Sequence, residues 1–187
     1  MSQQVEEARV RLARPNEDAA AILAIYAPFI ERTAVSFETI VPPLGAFTER
    51  IEKGLDVAPW LVCHVGDTMV GFACGSRHRE RAAYLWSVEL SVYVAPPFQG
   101  NGYARRLYAK LIAMLRDQGY YNAYAGITLP NPASVGMHEA MGFVPVGVFR
   151  SVGFKLGNWH DVGWWQRVLR QPDDPPRPPL SIMPVNR

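Results

Sequence analysis

The chain has 187 residues, of which 49% are hydrophobic and 19% are charged, and its formal net charge is +2. This length suits one domain with its own core, and the interspersed charges give no reason to expect nucleic acid or an anionic membrane as a partner. No stretch approaches the ~20 apolar residues of a membrane-spanning helix, and residues 1–7 lack the apolar core of a signal peptide. We therefore expect a cytoplasmic protein.

Hydrophobic periodicity predicts the regular elements in chain order. In the first half it predicts a strand near 9–13, helices over 17–32 and 44–54, and a hairpin of strands 60–65 and 69–76. In the second half it predicts a long strand over 84–94, a helix over 102–118, a strand over 122–128, a short helix over 134–141, and strands over 146–154 and 160–169. An antiparallel first half followed by a βαβ unit indicates an α/β or α+β fold with a mixed, mostly antiparallel sheet flanked by helices.

Proline separates the C-terminal end from the rest of the chain. Regular structure is disfavoured after Gln171 by Pro172, Pro175, Pro176, Pro178, Pro179 and Pro184. We expect residues 8–170 to form the domain. Residues 171–187 are predicted to be an extended or disordered tail, able to pack on the surface but carrying no chemistry.

The two cysteines, Cys63 and Cys74, both fall in the predicted hairpin. A two-residue turn at 66–67 would set Cys63 against Val70 and Cys74 opposite Trp60. The thiols are then not cross-strand partners, so we predict two free core cysteines rather than a disulfide.

Residues 99–105, Gln-Gly-Asn-Gly-Tyr-Ala-Arg, join the strand ending at 94 to a helix. Glycine lets a backbone approach a ligand closely, and the free N–H groups of a helix's first turn attract an anion. The segment is not a dinucleotide fingerprint, because Arg105 stands at its third glycine position, and it lacks the Gly-Lys-Ser/Thr of a P-loop. Alone, it fits an ordinary glycine turn as well as a diphosphate site.

The arrangement Gln99-x-x-Gly102-x-Ala104 resembles the Arg/Gln-x-x-Gly-x-Gly/Ala signature of the GNAT N-acetyltransferases. Residues 129–134 (Leu-Pro-Asn-Pro-Ala-Ser) and 138–143 (His-Glu-Ala-Met-Gly-Phe) are similar to the second conserved block of that superfamily. The blocks at 36–38, 86–89, 91–94 and 157–163 resemble its phosphinothricin acetyltransferase branch. The resemblance covers about residues 8–169.

The resemblance implies that acetyl-CoA binds beside the strand ending at 94. Backbone groups of Val92 and Val94 would pair with the pantetheine arm, the amides at 100–105 would hold the pyrophosphate, and the Asn131 side chain would bond the pantetheine. The implied cofactor-binding residues are Val92, Tyr93, Val94, Gln99, Gly100, Asn101, Gly102, Tyr103, Ala104, Arg105, Asn131 and Ser134.

Two residues are candidates for catalysis, Glu89 and His138. A carboxylate beside the site can take the proton of an ammonium acceptor, and the matching glutamate is the proposed base in the resembling branch. His138 stands where the wider superfamily often has a tyrosine thought to protonate the CoA thiolate. It could protonate sulfur, orient groups near Glu89, or simply pack. His78, in the basic loop at 77–81, is interpreted as an ordinary loop residue.

No Ser-His-Asp or Cys-His pattern favours an acyl-enzyme, and no cluster has metal-ligand spacing. We therefore expect direct transfer in a ternary complex without a metal, with the Val92 amide as a candidate oxyanion donor.

The resemblance implies a small amino-acid-like amine as the acceptor, of the phosphinothricin, methionine sulfoximine or methionine sulfone type. The implied acceptor-binding residues are Phe37, Arg81, Ala82, Tyr84 and Glu89. A homodimer is also implied, with Trp164 and Trp165 as either interface or core residues. Two alternatives stay open: acetylation of a protein or peptide amine, and a CoA-binding regulatory module without turnover.

Overall fold

The computed structural model describes residues 7–181. Its strands are β1 (Arg9–Leu12), β2 (Trp60–Val65), β3 (Thr68–Arg77), β4 (Ser87–Val94), β5 (Asn122–Leu129), β6 (Val144–Lys155) and β7 (Asn158–Val168). Its α-helices are α1 (Pro15–Arg32), α2 (Leu44–Leu55), α3 (Tyr103–Gln118) and α4 (Pro132–Ala140), with short 3-10 turns at Ala82–Tyr84 and Pro96–Phe98. The predicted order of strands and α-helices is confirmed.

One seven-stranded sheet runs in the order β1-β2-β3-β4-β5-β7-β6. Every neighbouring pair is antiparallel except β4 and β5, which are parallel and joined through α3. This mixed, mostly antiparallel sheet between helices confirms the predicted fold class.

Each face of the sheet buries its own core. On one face α1 and α2 place Ile22, Phe47 and Ile51 against the sheet, and all three are almost fully buried. On the other face α3 buries Leu107 and Leu111. These residues recur at the spacing of one helix face, so the amphipathic pattern in the sequence decided the layering.

The strand predicted over 84–94 is shorter in the structure and begins at Ser87. Strand β3 ends at Arg77, which pairs with Val88, so no β3 residue remains to pair with the segment before Ser87. Residues 78–86 therefore form the connecting loop, which includes an exposed 3-10 turn at Ala82–Tyr84.

Both cysteines are free and buried, as predicted. Cys74 faces Trp60 as expected, but a bulge between Cys63 and His64 shifts the register, so that Cys63 faces Gly71 rather than Val70. The thiols belong to the two different cores.

The described part of the tail, residues 171–181, contains no helix or strand and packs on the domain. The Trp86 indole N–H donates to the Arg177 carbonyl at 2.7 Å. Gln118 and Leu180 exchange two hydrogen bonds of 2.7 and 2.8 Å. Expectations about the first six residues, and about the tail beyond residue 181, lie outside the described residues.

Candidate active site

Strands β4 and β5 pair over only three residues and then separate. The pairs are Ser87 with Asn122, Val88 with Ala123 and Glu89 with Tyr124, whereas β4 continues to 94 and β5 to 129. The separated parts, residues 90–93 and 125–128, line a cleft that α3 and α4 close on one side. The cleft therefore opens directly beyond Glu89.

Alternation along β4 decides which N–H groups face this cleft. The N–H of Ala95 donates to the carbonyl of Val70, near the start of β3, at 2.9 Å. Because β4 and β3 keep an uninterrupted register, every second N–H turns toward β3. The N–H groups of Val92 and Val94 therefore turn away from β3 and into the cleft, whereas the N–H of Tyr93 does not.

The turn before α3 presents free backbone N–H groups. Gly100 and Gly102 have φ of 78° and 79°, and a Cβ added to either would meet open space. The first helical N–H is that of Arg106, which donates to the Gly102 carbonyl, and no side chain caps this end of the helix. The N–H groups of the first turn, residues 103–105, are thus available to an anion.

Two predicted cofactor residues hold the turn together through their side chains. The Gln99 side-chain amide donates to the Val94 carbonyl at 3.1 Å. The Asn101 amide donates to the carbonyls of Phe98 and Gln99, each at 3.2 Å. These bonds shape the loop, and a ligand would meet the backbone rather than these amides.

Helix α4 contributes two predicted residues to the cleft. Asn131 and Ser134 both line it. The Asn131 side-chain oxygen accepts the Ser134 N–H at 3.1 Å, which caps the helix. Only the NH₂ group of Asn131 is then left for another partner.

His138 is buried beneath the cleft, with 3% of its surface exposed. Its Nδ1 lies 2.7 Å from the Ser134 carbonyl, which can only accept, so Nδ1 carries the proton. Its Nε2 is then an acceptor and lies 3.3 Å from the Tyr108 hydroxyl. Burial lowers the pKa of His138 and raises that of the Tyr108 phenol, so both groups are neutral near pH 7.

Glu89 is held by two residues of the loop between β3 and β4. Its Oε1 lies 2.9 Å from Nδ1 of His78 and accepts a hydrogen bond of 3.1 Å from Arg79. The His78 ring stacks on Tyr124, with a centroid distance of 4.6 Å. The interpretation of His78 as an ordinary loop residue is therefore wrong, because its ring contacts the candidate base.

Glu89 and His138 lie on opposite sides of the sheet. Glu89 is opposite Ser76 in the β3–β4 ladder and projects toward the α1 and α2 face, as do alternate residues of β4. His138 packs with Tyr108 in the α3 core. Among the described residues no hydrogen bond joins the two, so an orienting effect of His138 on Glu89 has no contact to act through.

The predicted acceptor residues are only partly brought together. Tyr84 contacts His78, with 5.7 Å between ring centroids, so the His78 ring lies between Tyr84 and Glu89. Arg81 and Ala82 are exposed beside it. Phe37 instead packs against Gly153 of β6, where a Cβ would meet its ring.

The loop that carries Phe37 is fixed by the last hairpin. Lys155 on β6 is buried, and its ammonium donates to the Ser36 carbonyl. The Ser36 hydroxyl is in turn 2.7 Å from that of Tyr26 on α1. The position of Phe37 is thus fixed by contacts of its loop with α1 and with β6.

Sequence reasoning missed three aromatic residues of this region. Tyr108 lies within the apolar stripe of α3, and nothing in the stripe distinguishes it from a core residue. Tyr124 stacks under His78, and the Trp164 ring lies 5.9 Å from the Arg79 guanidinium. Trp165 is buried in the core, where its indole N–H donates to Glu139.

Two negative findings apply to residues 7–181. No group of three or more His, Cys, Asp or Glu side chains is arranged to hold a metal ion. No helix in this part of the chain has both the length and the apolar character needed to cross a membrane.

Comparison with known proteins identifies the fold's relatives. The acetyltransferase (GNAT) family model matches residues 28–143. A phosphinothricin N-acetyltransferase of Streptomyces viridochromogenes is 39% identical over 170 residues, which are 91% of each chain. An L-methionine sulfoximine/L-methionine sulfone acetyltransferase of Pseudomonas aeruginosa is 31% identical over 156 residues, 81% of this chain and 90% of its own.

Solved structures agree. A GNAT superfamily phosphinothricin acetyltransferase from Sinorhizobium meliloti, in complex with acetyl-CoA, is 28% identical with a TM-score of 0.82, over 86% of this chain and 88% of that one. The cleft and the uncapped α3 turn fit a pantetheine arm and a diphosphate. The chain therefore belongs to the GNAT family and is an acetyl-CoA-dependent N-acetyltransferase.

Proposed function

We propose that this protein transfers the acetyl group of acetyl-CoA directly to the primary amine of a small amino-acid-like acceptor, with Glu89 as general base. The named substrates of its relatives, phosphinothricin and methionine sulfoximine or sulfone, support this acceptor class. The observation that carries the proposal is the position of Glu89, whose carboxylate stands where β4 and β5 part.

We assign the acetyl-CoA binding site to the cleft and to the turn before α3. Acetyl-CoA supplies the acetyl thioester. Backbone groups of Val92 and Val94 would bind along its pantetheine arm, with Tyr93 between them as part of the wall. The amides of Gly100, Asn101, Gly102, Tyr103, Ala104 and Arg105 would hold the pyrophosphate. The Asn131 amide and Ser134 would close the far side.

The environment of Glu89 supports its role as base. His78 and Arg79 both contact Oε1, and among the described side chains none donates to Oε2. Oε2 is therefore the oxygen we assign to take the ammonium proton, directly or through one water. The two loop residues would fix the direction in which that oxygen points.

The departing thiolate needs a proton, and we assign that step to Tyr108 rather than His138. A neutral His138 with its proton on Nδ1 has nothing to donate from Nε2, whereas the Tyr108 hydroxyl can turn its proton from Nε2 to the sulfur. Because burial raises the pKa of this phenol, the phenolate would take back a proton from water in the cleft as the sulfur is protonated. Tyr108 also lines the cleft. His138 would then position the Tyr108 hydroxyl, and the Val92 N–H would stabilise charge on the thioester oxygen.

For the acceptor we retain Phe37, Arg81, Ala82 and Tyr84 as binding residues. Tyr84 is the best supported, because it contacts His78 beside Glu89. The exposed guanidinium of Arg81 would serve an acidic group on the acceptor.

Three broader assignments belong to the same proposal. Residues 8–170 would be the catalytic domain, with 171–187 as an appended tail. A homodimer would form through β6, an edge strand that exposes Val146, Phe149 and Phe154. A cytoplasmic location is supported by the two free thiols. Sedimentation velocity and cell fractionation test the last two assignments.

A free-thiol release assay with acetyl-CoA tests the function. The acceptors would be phosphinothricin, methionine sulfoximine, methionine sulfone, the common amino acids and a set of peptides, with an amine-free control for hydrolysis. We expect release with the amino-acid-like amines. Release with peptides alone would replace this acceptor class by protein amines, and a trapped acetylated residue would replace direct transfer by a covalent route.

A further inference from the structure

A second cavity, of about 210 Å³, lies on the α1 and α2 face of the sheet. It is lined mainly by aromatic rings contributed by α1, α2 and strands β2 to β4: Tyr26, Phe47, Trp60, Phe72 and Tyr93. Of these side chains only Tyr93 has been assigned a role so far, as part of the wall of the proposed cofactor site. The cavity has the mostly apolar lining of small-molecule sites.

The register of β3 and β4 connects this cavity to the candidate base. Phe72 is opposite Tyr93, Cys74 is opposite Ser91, and Ser76 is opposite Glu89. Side chains of directly opposed and alternate residues share one face of a sheet, so Glu89 stands at the end of the row that lines the cavity. The next side chains on the same face are Ser91, two residues after Glu89, and Cys74, two residues before Ser76.

The cavity also shares a wall with the cofactor cleft. Ser91 and Tyr93 line both spaces. An amine near Glu89 would therefore have the thioester on one side and this cavity on the other. A side chain attached to the same carbon as the amine can reach it within the length of one amino acid.

The electrostatics of the cavity exclude a charged occupant. Its two charged side chains, Glu38 and Arg50, lie at the solvent side and pair with each other at 2.6 Å. Burial raises the pKa of the Cys74 thiol to about 12, which keeps it neutral, and raises that of the Tyr93 phenol well above its usual value. A charged side chain entering the cavity would lose hydration without gaining a partner.

We propose that this cavity receives the side chain of the acceptor, and that the acceptor is an amino acid with an uncharged aromatic side chain. The proposal rests on the acetyltransfer proposed above and names its substrate more narrowly. Aromatic rings favour stacked or edge-to-face contact with another ring. The Cys74 sulfur in the lining adds a favourable sulfur–aromatic contact.

The test compares kcat/KM for phenylalanine and methionine sulfone, with alanine, whose side chain is a single methyl group, as the reference. The wild-type enzyme is expected to favour phenylalanine over methionine sulfone. Cys74→Phe places a ring in the cavity and should lower the phenylalanine to alanine ratio at least about 10-fold. Cys74→Ser keeps the volume and should move the ratio far less, and Cys74→Leu gives an intermediate change if the phenylalanine variant does not fold.

A rise in melting temperature with acetyl-CoA serves as the folding check for every variant. Turnover of methionine sulfone without turnover of phenylalanine overturns the inference and leaves the proposed function standing. Equal loss for phenylalanine and alanine in Cys74→Phe also overturns it. Absence of thiol release with every amine removes the proposed function itself, and this inference with it.

Discussion

The two sides of the opening between β4 and β5 are built from different material. The side that we assign to the cofactor consists of backbone N–H groups at Val92, Val94 and the first turn of α3, held by glycine and by loop-shaping amides. The side that we assign to the acceptor consists of side chains from the 78–86 loop, α1, α2 and the last hairpin. A backbone site can serve one fixed ligand on many sequences, whereas a side-chain site changes ligand with each substitution.

The largest effect is expected from a substitution on the acceptor side, which should leave acetyl-CoA binding intact. Glu89→Gln should lower kcat by about 10²–10⁴-fold near neutral pH, because an amide cannot accept the ammonium proton. Acetyl-CoA binding, measured by calorimetry, should persist, because this side chain is not among the groups that we assign to the cofactor. Glu80→Gln removes an exposed carboxylate of the same loop and serves as the control. Full turnover in Glu89→Gln would remove it from the base role.

The next largest effect is expected from a substitution on the cofactor side, which should weaken acetyl-CoA binding. Gly102→Val forces a β-branched residue into the left-handed region, at a cost of about 1–2 kcal/mol, and should raise KM for acetyl-CoA about 10-fold. Gly157 has nearly the same φ, 78°, and the same open space, but it lies in the turn between β6 and β7. Gly157→Val should lose similar stability with KM unchanged. A matching rise in KM there would contradict a pyrophosphate site at Gly102.

A smaller effect concerns the end where β4 and β5 are still paired, to which we assign neither acetyl-CoA nor the acceptor. Trp86 and Tyr121 stack there with centroids 6.4 Å apart, and the tail bonds both of them. Removing residues 171–187 should cost about 1–2 kcal/mol, or about 2–8 °C in melting temperature, from a few hydrogen bonds of ~1 kcal/mol each. Calorimetric scans of both lengths measure the shift. Loss of kcat without loss of stability would give the tail a direct part in the site.

The smallest effect is a pH dependence of stability. Burial holds the pKa of His138 below its unfolded value of 6.5, so the unfolded chain takes up a proton first as the pH falls. Stability should therefore decline from about pH 6.5 down to the folded pKa and level off below it. Urea unfolding of wild type and His138→Asn across this range measures the difference. His64 shifts in the same direction and stays in both proteins, so an unchanged slope would exclude His138 as the source.

The difference between the two sides also decides what could be predicted from sequence. Glycines at 100 and 102, the strand before them and the helix after them are neighbours in the chain, so local pattern sufficed to find the turn. The two cores followed from periodicity in the same way. The environment of Glu89 did not, because His78, Tyr124 and Trp164 meet only through strand pairing. Tyr108 was missed since a polar atom in an apolar stripe leaves no periodic signal.

The contact of Lys155 with Ser36, and of Phe37 with Gly153, has a consequence for the order in which the protein is made. A ribosome releases the N-terminal loop, α3 and β5 first, and the hairpin of β6 and β7 last. Every backbone group that we assign to acetyl-CoA has emerged by residue 134, within the span that the family model matches. The wall that fixes Phe37 arrives with β6, so the acceptor side that we propose is completed after the cofactor side.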